Sequence, residues 1–314
     1  MIGMPEGTWA IAGGKGGVGK SVVTLSAAYW LGRLKHQVAL LDGDLGGANL
    51  HTMLGVRIPP RTLDDFVLKR VPTLDDLLLD TSLEGVRLIA GGSDTPALAN
   101  PNYAQKTRLL RAMAAIETDL LLVDLGAGTS LNTLDLFLAA PNRVVVLTPQ
   151  PTSIQNAYGF IKAAFFRLVA KELRGTPLKN LLDPGQFREA GAPQTAEELF
   201  QEIAIGAPDA IDAVKRAVDD LEIHLIVNMI RSPKEEKVGP VVSEVCRKFL
   251  GVRTRILGAI PYDPKIERWA LAMEQGALIR QAGDGGALRC AYDIAYRMAD
   301  RTRQADSERT KRAS

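Results

Sequence analysis

The sequence predicts an α/β protein built on a doubly wound, mostly parallel sheet with helices on both faces. Three observations carry that prediction. Short continuous apolar runs rich in Val, Ile and Leu recur along the 314 residues, and unbroken runs, unlike alternating ones, mark strands buried on both faces. Segments of helical spacing separate the runs, as parallel crossover units require. A glycine-rich turn stands directly between the first run and the first helical segment.

In chain order the predicted strands are Trp9 to Ala12, Val38 to Leu41, Val86 to Ile89, Leu120 to Val123, Val144 to Thr148, His224 to Val227 and Ile256 to Ile260. The predicted helices are Lys20 to Leu34, Ala104 to Ile116, Thr152 to Leu173, Pro240 to Phe249 and Ala287 to Arg301. The interval between the fifth and sixth strands is long and holds two helix starts, a capping box at Thr195 and Glu198 and a first-turn proline at Pro208. Residues 171 to 220 offer too few bulky apolar side chains for a core of their own, so they read as a helical insertion on one domain spanning 1 to 302. Leu288, Ala291, Ile294, Ala295 and Met298 form an apolar stripe that reads as core-facing. Residues 303 to 314 are polar and basic and are expected to be disordered.

Composition excludes several classes. With 38 Lys and Arg against 36 Asp and Glu, no global field marks nucleic acid or an anionic membrane as partner. Cys246 and Cys290 share no CxxC spacing, so no disulfide framework, zinc site or cluster site can be read from them. The start, MIGMPEGTW, lacks a basic stretch followed by an apolar run, and no run of about 18 apolar residues occurs. A cytoplasmic chain is expected.

The chemistry is concentrated in three segments. Gly14, Lys15, Gly16, Gly17, Val18, Gly19, Lys20 and Ser21 satisfy GxxxxGK[ST] in a strand, loop, helix setting. Glycines are needed there because backbone N–H groups must turn inward around phosphates without Cβ interference. Lys20 would neutralise the β and γ phosphates of ATP, and the Ser21 hydroxyl would hold Mg2+. The second strand ends in Asp42-Gly43-Asp44, which places two carboxylates at the carboxyl edge of the sheet, where open α/β sheets bind ligands. One can support the metal shell and the other orient a water, although both also suit a turn. The fourth strand runs into Asp124-Leu125-Gly126-Ala127-Gly128, an apolar strand ending in a carboxylate suited to a magnesium shell.

Lys15, a further lysine inside the loop, gives GGKGGVGKS its resemblance to the deviant Walker A motif of the MinD/ParA family of ATPases. The resemblance implies that Lys15 reaches across an ATP-dependent homodimer to the partner's nucleotide. It further implies that Asp44 positions the attacking water, that Asp42 and Asp124 lie near the metal, and that Asn49 approaches the partner chain. Asp42 to Asn49, Thr148 to Ser153 and Ile260 to Pro264 look most like the FlhG (FleN) and MinD branches. In those branches the base is held at positions matching Asn228 and Pro261, with Arg231 a further candidate; a strand-end cap and a turn are the plain alternatives. The implied function is a dimeric switch in spatial or numerical regulation of a flagellum or of cell division. Two other readings stand beside it, a ParA-type partition ATPase on DNA and an Mrp-like iron-sulfur carrier, the latter lacking its paired cysteines. The tail from Thr302 has no Leu, Ile, Val, Phe, Met or Trp to insert in a bilayer, so its basic residues offer at most weak attachment to an anionic surface.

Overall fold

The computed structural model describes residues 3–44, 47–92, 102–182, 193, 195–266 and 286–313. Among them, eight strands form one sheet: β1 (Thr8–Ala12), β2 (Val38–Gly43), β3 (Leu79–Asp80), β4 (Val86–Ile89), β5 (Leu120–Leu125), β6 (Asn142–Leu147), β7 (Glu222–Ile230) and β8 (Arg253–Pro261). Their order is β3-β4-β2-β5-β1-β6-β7-β8. Every neighbouring pair is parallel except β3 with β4. The helices are α1 (Lys20–Arg33), α2 (Leu50–Met53), α3 (Leu63–Val67), α4 (Tyr103–Ala114), α5 (Leu131–Ala139), α6 (Pro151–Glu172), α7 (Ala196–Gly206), α8 (Ile211–Asp219), α9 (Val238–Leu250) and α10 (Gly286–Ala313).

The sheet is covered on both sides, which is why its strands read as unbroken apolar runs. Trp9, Ile11, Leu40, Leu122 and Val144 pack with α1 and α10 on one face. Ala10, Ala39, Val123, Val145 and Leu225 pack with α4 to α9 on the other. Successive strand residues point to opposite faces, so each strand supplies both cores at once. The stripe on α10 turns inward, with Ala291, Ile294, Ala295 and Met298 all buried; the Leu288 side chain lies outside the described residues.

The long interval between β6 and β7 contributes α7 and α8, whose Leu199, Ile203, Val214 and Val218 join the same core as Phe160 and Phe165 of α6. The Thr195 hydroxyl caps α7 by accepting from the Glu198 N–H at 3.2 Å. Pro208 opens a 3-10 turn ahead of α8. Residues 183 to 192 of the expected insertion lie outside the described residues.

The expected disorder after residue 302 is corrected: α10 continues as helix to Ala313. Polarity is a poor guide there, because Arg, Gln, Ala, Glu and Lys are strong helix formers and extend a helix already nucleated on the core. Helix α5 is absent from the sequence prediction. Thr133 through Leu138 are all buried, so no helical period shows along them.

Candidate functional site

β1 lies between β5 and β6 and delivers the chain to the carboxyl edge of the sheet at its centre. The loop that follows turns through Gly17 and Gly19, with φ of 77° and 86° in the left-handed region that favours glycine. Gly19 is also the N-cap of α1, and no side chain caps that helix. Its first amides therefore remain available to an anion, and the helix dipole favours negative charge there. Gly14 serves packing instead. A Cβ there would overlap the carbonyl oxygen of Asn156, so glycine lets the loop lie against α6. Around Gly16 and Gly17 the space is open, and both are exposed. Val18 is buried, Lys20 is half-buried, and Lys15 is exposed at the tip of the loop.

Beneath the loop the two strand-end carboxylates meet. Asp42 of β2 and Asp124 of β5 are register partners on adjacent strands, and both are buried. The Ser21 hydroxyl donates to Asp124 Oδ2 at 2.6 Å, and the Thr24 hydroxyl stands 3.1 Å from Asp124 Oδ1. Asp42 accepts from the backbone N–H groups of Leu50 at 2.9 Å and Asp44 at 3.2 Å. Burial pushes the Asp124 carboxyl up to about 7, with the Asp42 charge adding to the rise and the Ser21 hydroxyl and Lys20 ammonium opposing it. Burial likewise raises Asp42. Two neighbouring carboxylates short of positive charge, with a serine hydroxyl on one of them, are a donor set of hard oxygens that fits a divalent cation such as Mg2+.

Asp44 stands at the mouth of the site. A Cβ on Gly126, in the loop after β5, would lie 3.0 Å from Asp44 Oδ1, so the loops after β2 and β5 touch at this carboxylate. The Gly128 N–H donates to the Gly13 carbonyl at 3.4 Å, tying the same loop to the glycine-rich one. The exposed Asn49 donates from its side chain to the Gly47 carbonyl at 2.5 Å.

A cavity of about 390 Å³ opens beside the loop, lined by Gly17, Gly19, Asn228, Arg231, Pro261 and Tyr262. Asn228 and Pro261, read from the ends of two late strands, thus come together with the loop although Asn228 lies 210 residues beyond Val18. The Asn228 amide donates to the Val18 carbonyl at 2.9 Å and fixes the loop itself. Arg231 lies with its guanidinium 3.6 Å above the Tyr262 ring. Met229, between Asn228 and the end of β7, holds φ of 60°, a strained value for a non-glycine residue. Sequence reading gave no role to Thr24, Asn156 or Tyr262. Thr24 had a usable signal, since it lies three residues beyond Ser21 on one helix face; Tyr262 lay inside the Ile260 to Pro264 segment beside Pro261, and Asn156 depends on α6 packing against the loop.

Comparisons with known proteins agree with this fold. A family model described as ParA, NUBPL iron-transfer P-loop NTPase, matches residues 6–173. The chain is 30% identical over 262 residues to the antiactivator FleN of Pseudomonas aeruginosa, covering 82% of this chain and 75% of that protein. It is 32% identical over 160 residues to the flagellum site-determining protein YlxH of Helicobacter pylori, covering 49% of this chain and 52% of that one. The solved structure of the septum site-determining protein MinD from Pyrococcus horikoshii, complexed with Mg-ADP, superposes with a TM-score of 0.59 at 21% identity, over 92% of this chain and 93% of that one. Because the family match runs from the first strand through the loop and both strand-end carboxylates, the chain belongs to the ParA/MinD family of P-loop ATPases, with FleN among its relatives.

Proposed function

We propose that this ATPase is an ATP-timed dimeric switch that regulates the number or place of a cellular structure, a flagellum or a division site. The observation that carries the dimer is the contrast between the two loop lysines. Lys20 is half-buried in the loop, whereas Lys15 is exposed at its tip, free to serve a nucleotide held by a second copy. In this reading Gly14 to Gly19 enclose the triphosphate with backbone amides, and Lys20 neutralises its β and γ groups. Asp44 positions the water, and Asn228, Pro261 and Arg231 flank the base. Ser21, Asp42 and Asp124 would hold Mg2+, which supplies charge neutralisation for phosphoryl transfer when bound. The names of YlxH, a flagellum site-determining protein, and of MinD, a septum site-determining protein, support a flagellum or a division site as the regulated structure, and that of FleN, an antiactivator, supports a regulatory role. The basic end of α10 supports weak association with an anionic surface.

The test is the solution mass of Asp44→Ala with and without ATP. A doubled mass with ATP, lost in Lys15→Ala although nucleotide still binds, is the expected result. A mass that never doubles in the hydrolysis-blocked variant sinks the dimer reading. The iron-carrier alternative suggested by the family description finds little support here. Cys246 is buried in the core, its thiol pushed up to about 12 by that burial, and so is poorly placed as a cluster ligand at a subunit axis.

A further inference from the structure

A second cavity of about 550 Å³ lies between α4, α5 and α6, away from the nucleotide loop. Its walls carry Lys106 and Arg111 from α4, Asp135 from α5, Arg167 and Lys171 from α6, and Arg174 just beyond it. Five cations therefore face one carboxylate. Arg167 grips Asp135 in a fork, Nε to Oδ1 and Nη2 to Oδ2, both at 2.9 Å. Lys106 Nζ adds a contact at 2.9 Å and Lys171 Nζ another at 3.1 Å. Burial opposes ionisation of Asp135, yet the Arg167 and Lys106 hydrogen bonds and the Lys171 charge hold its carboxyl far below the usual range.

One aspartate is satisfied by one arginine fork, so a purely structural role leaves the other cations unexplained. The C-terminal dipole of α6 favours Lys171 and Arg174, but it does nothing for Lys106 and Arg111 on α4. Crowding here opposes the positive charge: burial first, and the Arg167 and Arg174 charges after it, draw the Lys171 ammonium down, against the pull of Asp135. Among the described residues, Arg111 and Arg174 have no carboxylate within ion-pair reach, and both are exposed. Lys106 and Lys171 each retain donor hydrogens after serving Asp135.

The shape selects the kind of anion. The cations converge on one concave spot, whereas a nucleic-acid backbone is better met by cations strung along a ridge. Leu110 and Leu138 line the cavity between the charges, and Tyr103 stands 76% exposed at its rim. Apolar floor, aromatic rim and converging cations together match an anchor residue flanked by acidic ones. We propose that this cavity binds an acidic segment of a partner protein, its carboxylates pairing with Arg111 and Arg174 and an apolar side chain resting on Leu110 and Leu138. α6 would couple the two sites physically. Asn156 near its start packs on Gly14 of the nucleotide loop, and Arg167 lies eleven residues further on, about 16 Å along the helix axis.

The test uses the full chain, saturated with Mg-ADP so that the glycine-rich loop is filled, and a fluorescein-labelled peptide of alternating Glu and Leu read by anisotropy. Saturable binding that weakens about tenfold in Arg111→Glu/Arg174→Glu, and by less than about twofold in the charge-matched Lys215→Glu/Lys248→Glu, is the expected result. All four positions are exposed and none is held in an ion pair among the described residues, so folding is expected to survive; unchanged thermal melting of both doubles checks this. Absence of saturable binding, or equal weakening by both doubles, overturns the proposal. Tighter binding of a single-stranded DNA of equal charge, lost in Arg111→Glu/Arg174→Glu, also overturns it by assigning the cavity to phosphates.

Discussion

Single atoms decide the behaviour of Asp44. Its carboxylate rests where any side chain on Gly126 would press, with 3.0 Å from an added Cβ to Oδ1 and 3.1 Å to Cγ. The backbone of Gly126 is not in the left-handed region, so alanine is tolerated there by conformation and resisted only by Asp44. On the role proposed for Asp44, Gly126→Ala is expected to slow ATP turnover at least about tenfold, while nucleotide affinity changes less than about twofold, because misplacing a group that positions the attacking water costs chemistry more than binding. Single-turnover hydrolysis beside a fluorescent-nucleotide titration checks this, and an equal loss in both would relocate the effect to the loop. Thr24 and Asn228 show the same economy of scale. Each uses one side-chain oxygen or amide to brace a group that the sequence motif already names, Asp124 in one case and the Val18 carbonyl in the other.

At the scale of elements, α10 divides into two parts with different duties. Its first half lies on α1 and β8, with Ile294 fully buried against Gly258, where a Cβ would collide with the isoleucine side chain. The join to the sheet continues through Arg301, whose guanidinium reaches Asn142 Oδ1 at 2.9 Å and Glu222 Oε1 at 2.6 Å, and through the Trp9 indole, which donates to the Thr302 hydroxyl at 3.2 Å. Beyond that point the described side chains are mostly exposed. Ile294→Ala is expected to cost about 2 to 4 kcal/mol, the range for a buried aliphatic truncation. Removal of residues 304 to 313 is expected to cost less than about 0.5 kcal/mol, as for surface changes that break no named feature. Denaturant unfolding of the two variants separates them; similar losses would mean that the distal half packs as the proximal half does.

Across the whole molecule, the two edges of the sheet bury different charged groups. The carboxyl edge holds the buried Asp42 and Asp124, while the opposite edge gathers Arg143, Arg255, Arg301 and His224 around Glu222. Burial, reinforced by the Arg301, Arg255 and Arg143 charges, draws the His224 imidazole down to about 3 from 6.5. The nearest carboxylate oxygen, on Glu222, is 3.7 Å from Nε2, too far for a hydrogen bond. The sign follows from proton binding. Above 6.5 the ring is neutral folded or unfolded and its contribution is complete; as pH falls toward 3, the unfolded chain takes a proton that the folded chain refuses. Stability should therefore fall by up to about 1.4 kcal/mol per pH unit between about 6 and 4 from this group. Urea unfolding of the wild type and of His224→Phe across that range should show the smaller slope in the variant. Parallel slopes would remove His224 from the acid response.

The sequence by itself determined the sheet class, the loop and the carboxylates at two strand ends. Those properties are local: a strand buried on both faces must be apolar throughout, a phosphate loop must be glycine at fixed offsets, and a ligand at the carboxyl edge must meet the residues where strands stop. Only the tertiary structure decided what distant segments do for one another. The pairing of Asp42 with Asp124 follows from β2 lying beside β5, and the meeting of Asn228 with Val18, and of Pro261 and Tyr262 with Asn228 and the glycine-rich loop at one cavity, follows from β7 and β8 completing the sheet. The five cations around Asp135 were likewise invisible, because they come from α4, from α6 and from the residues just beyond it, segments that only the fold brings to one cavity. Helix α10 shows the limit from the other side. Polar composition suggested disorder, but whether a strongly helix-forming segment is helical depends on whether a packed turn precedes it, and the contact of Trp9 with Thr302, 293 residues apart, is information that no local pattern contains.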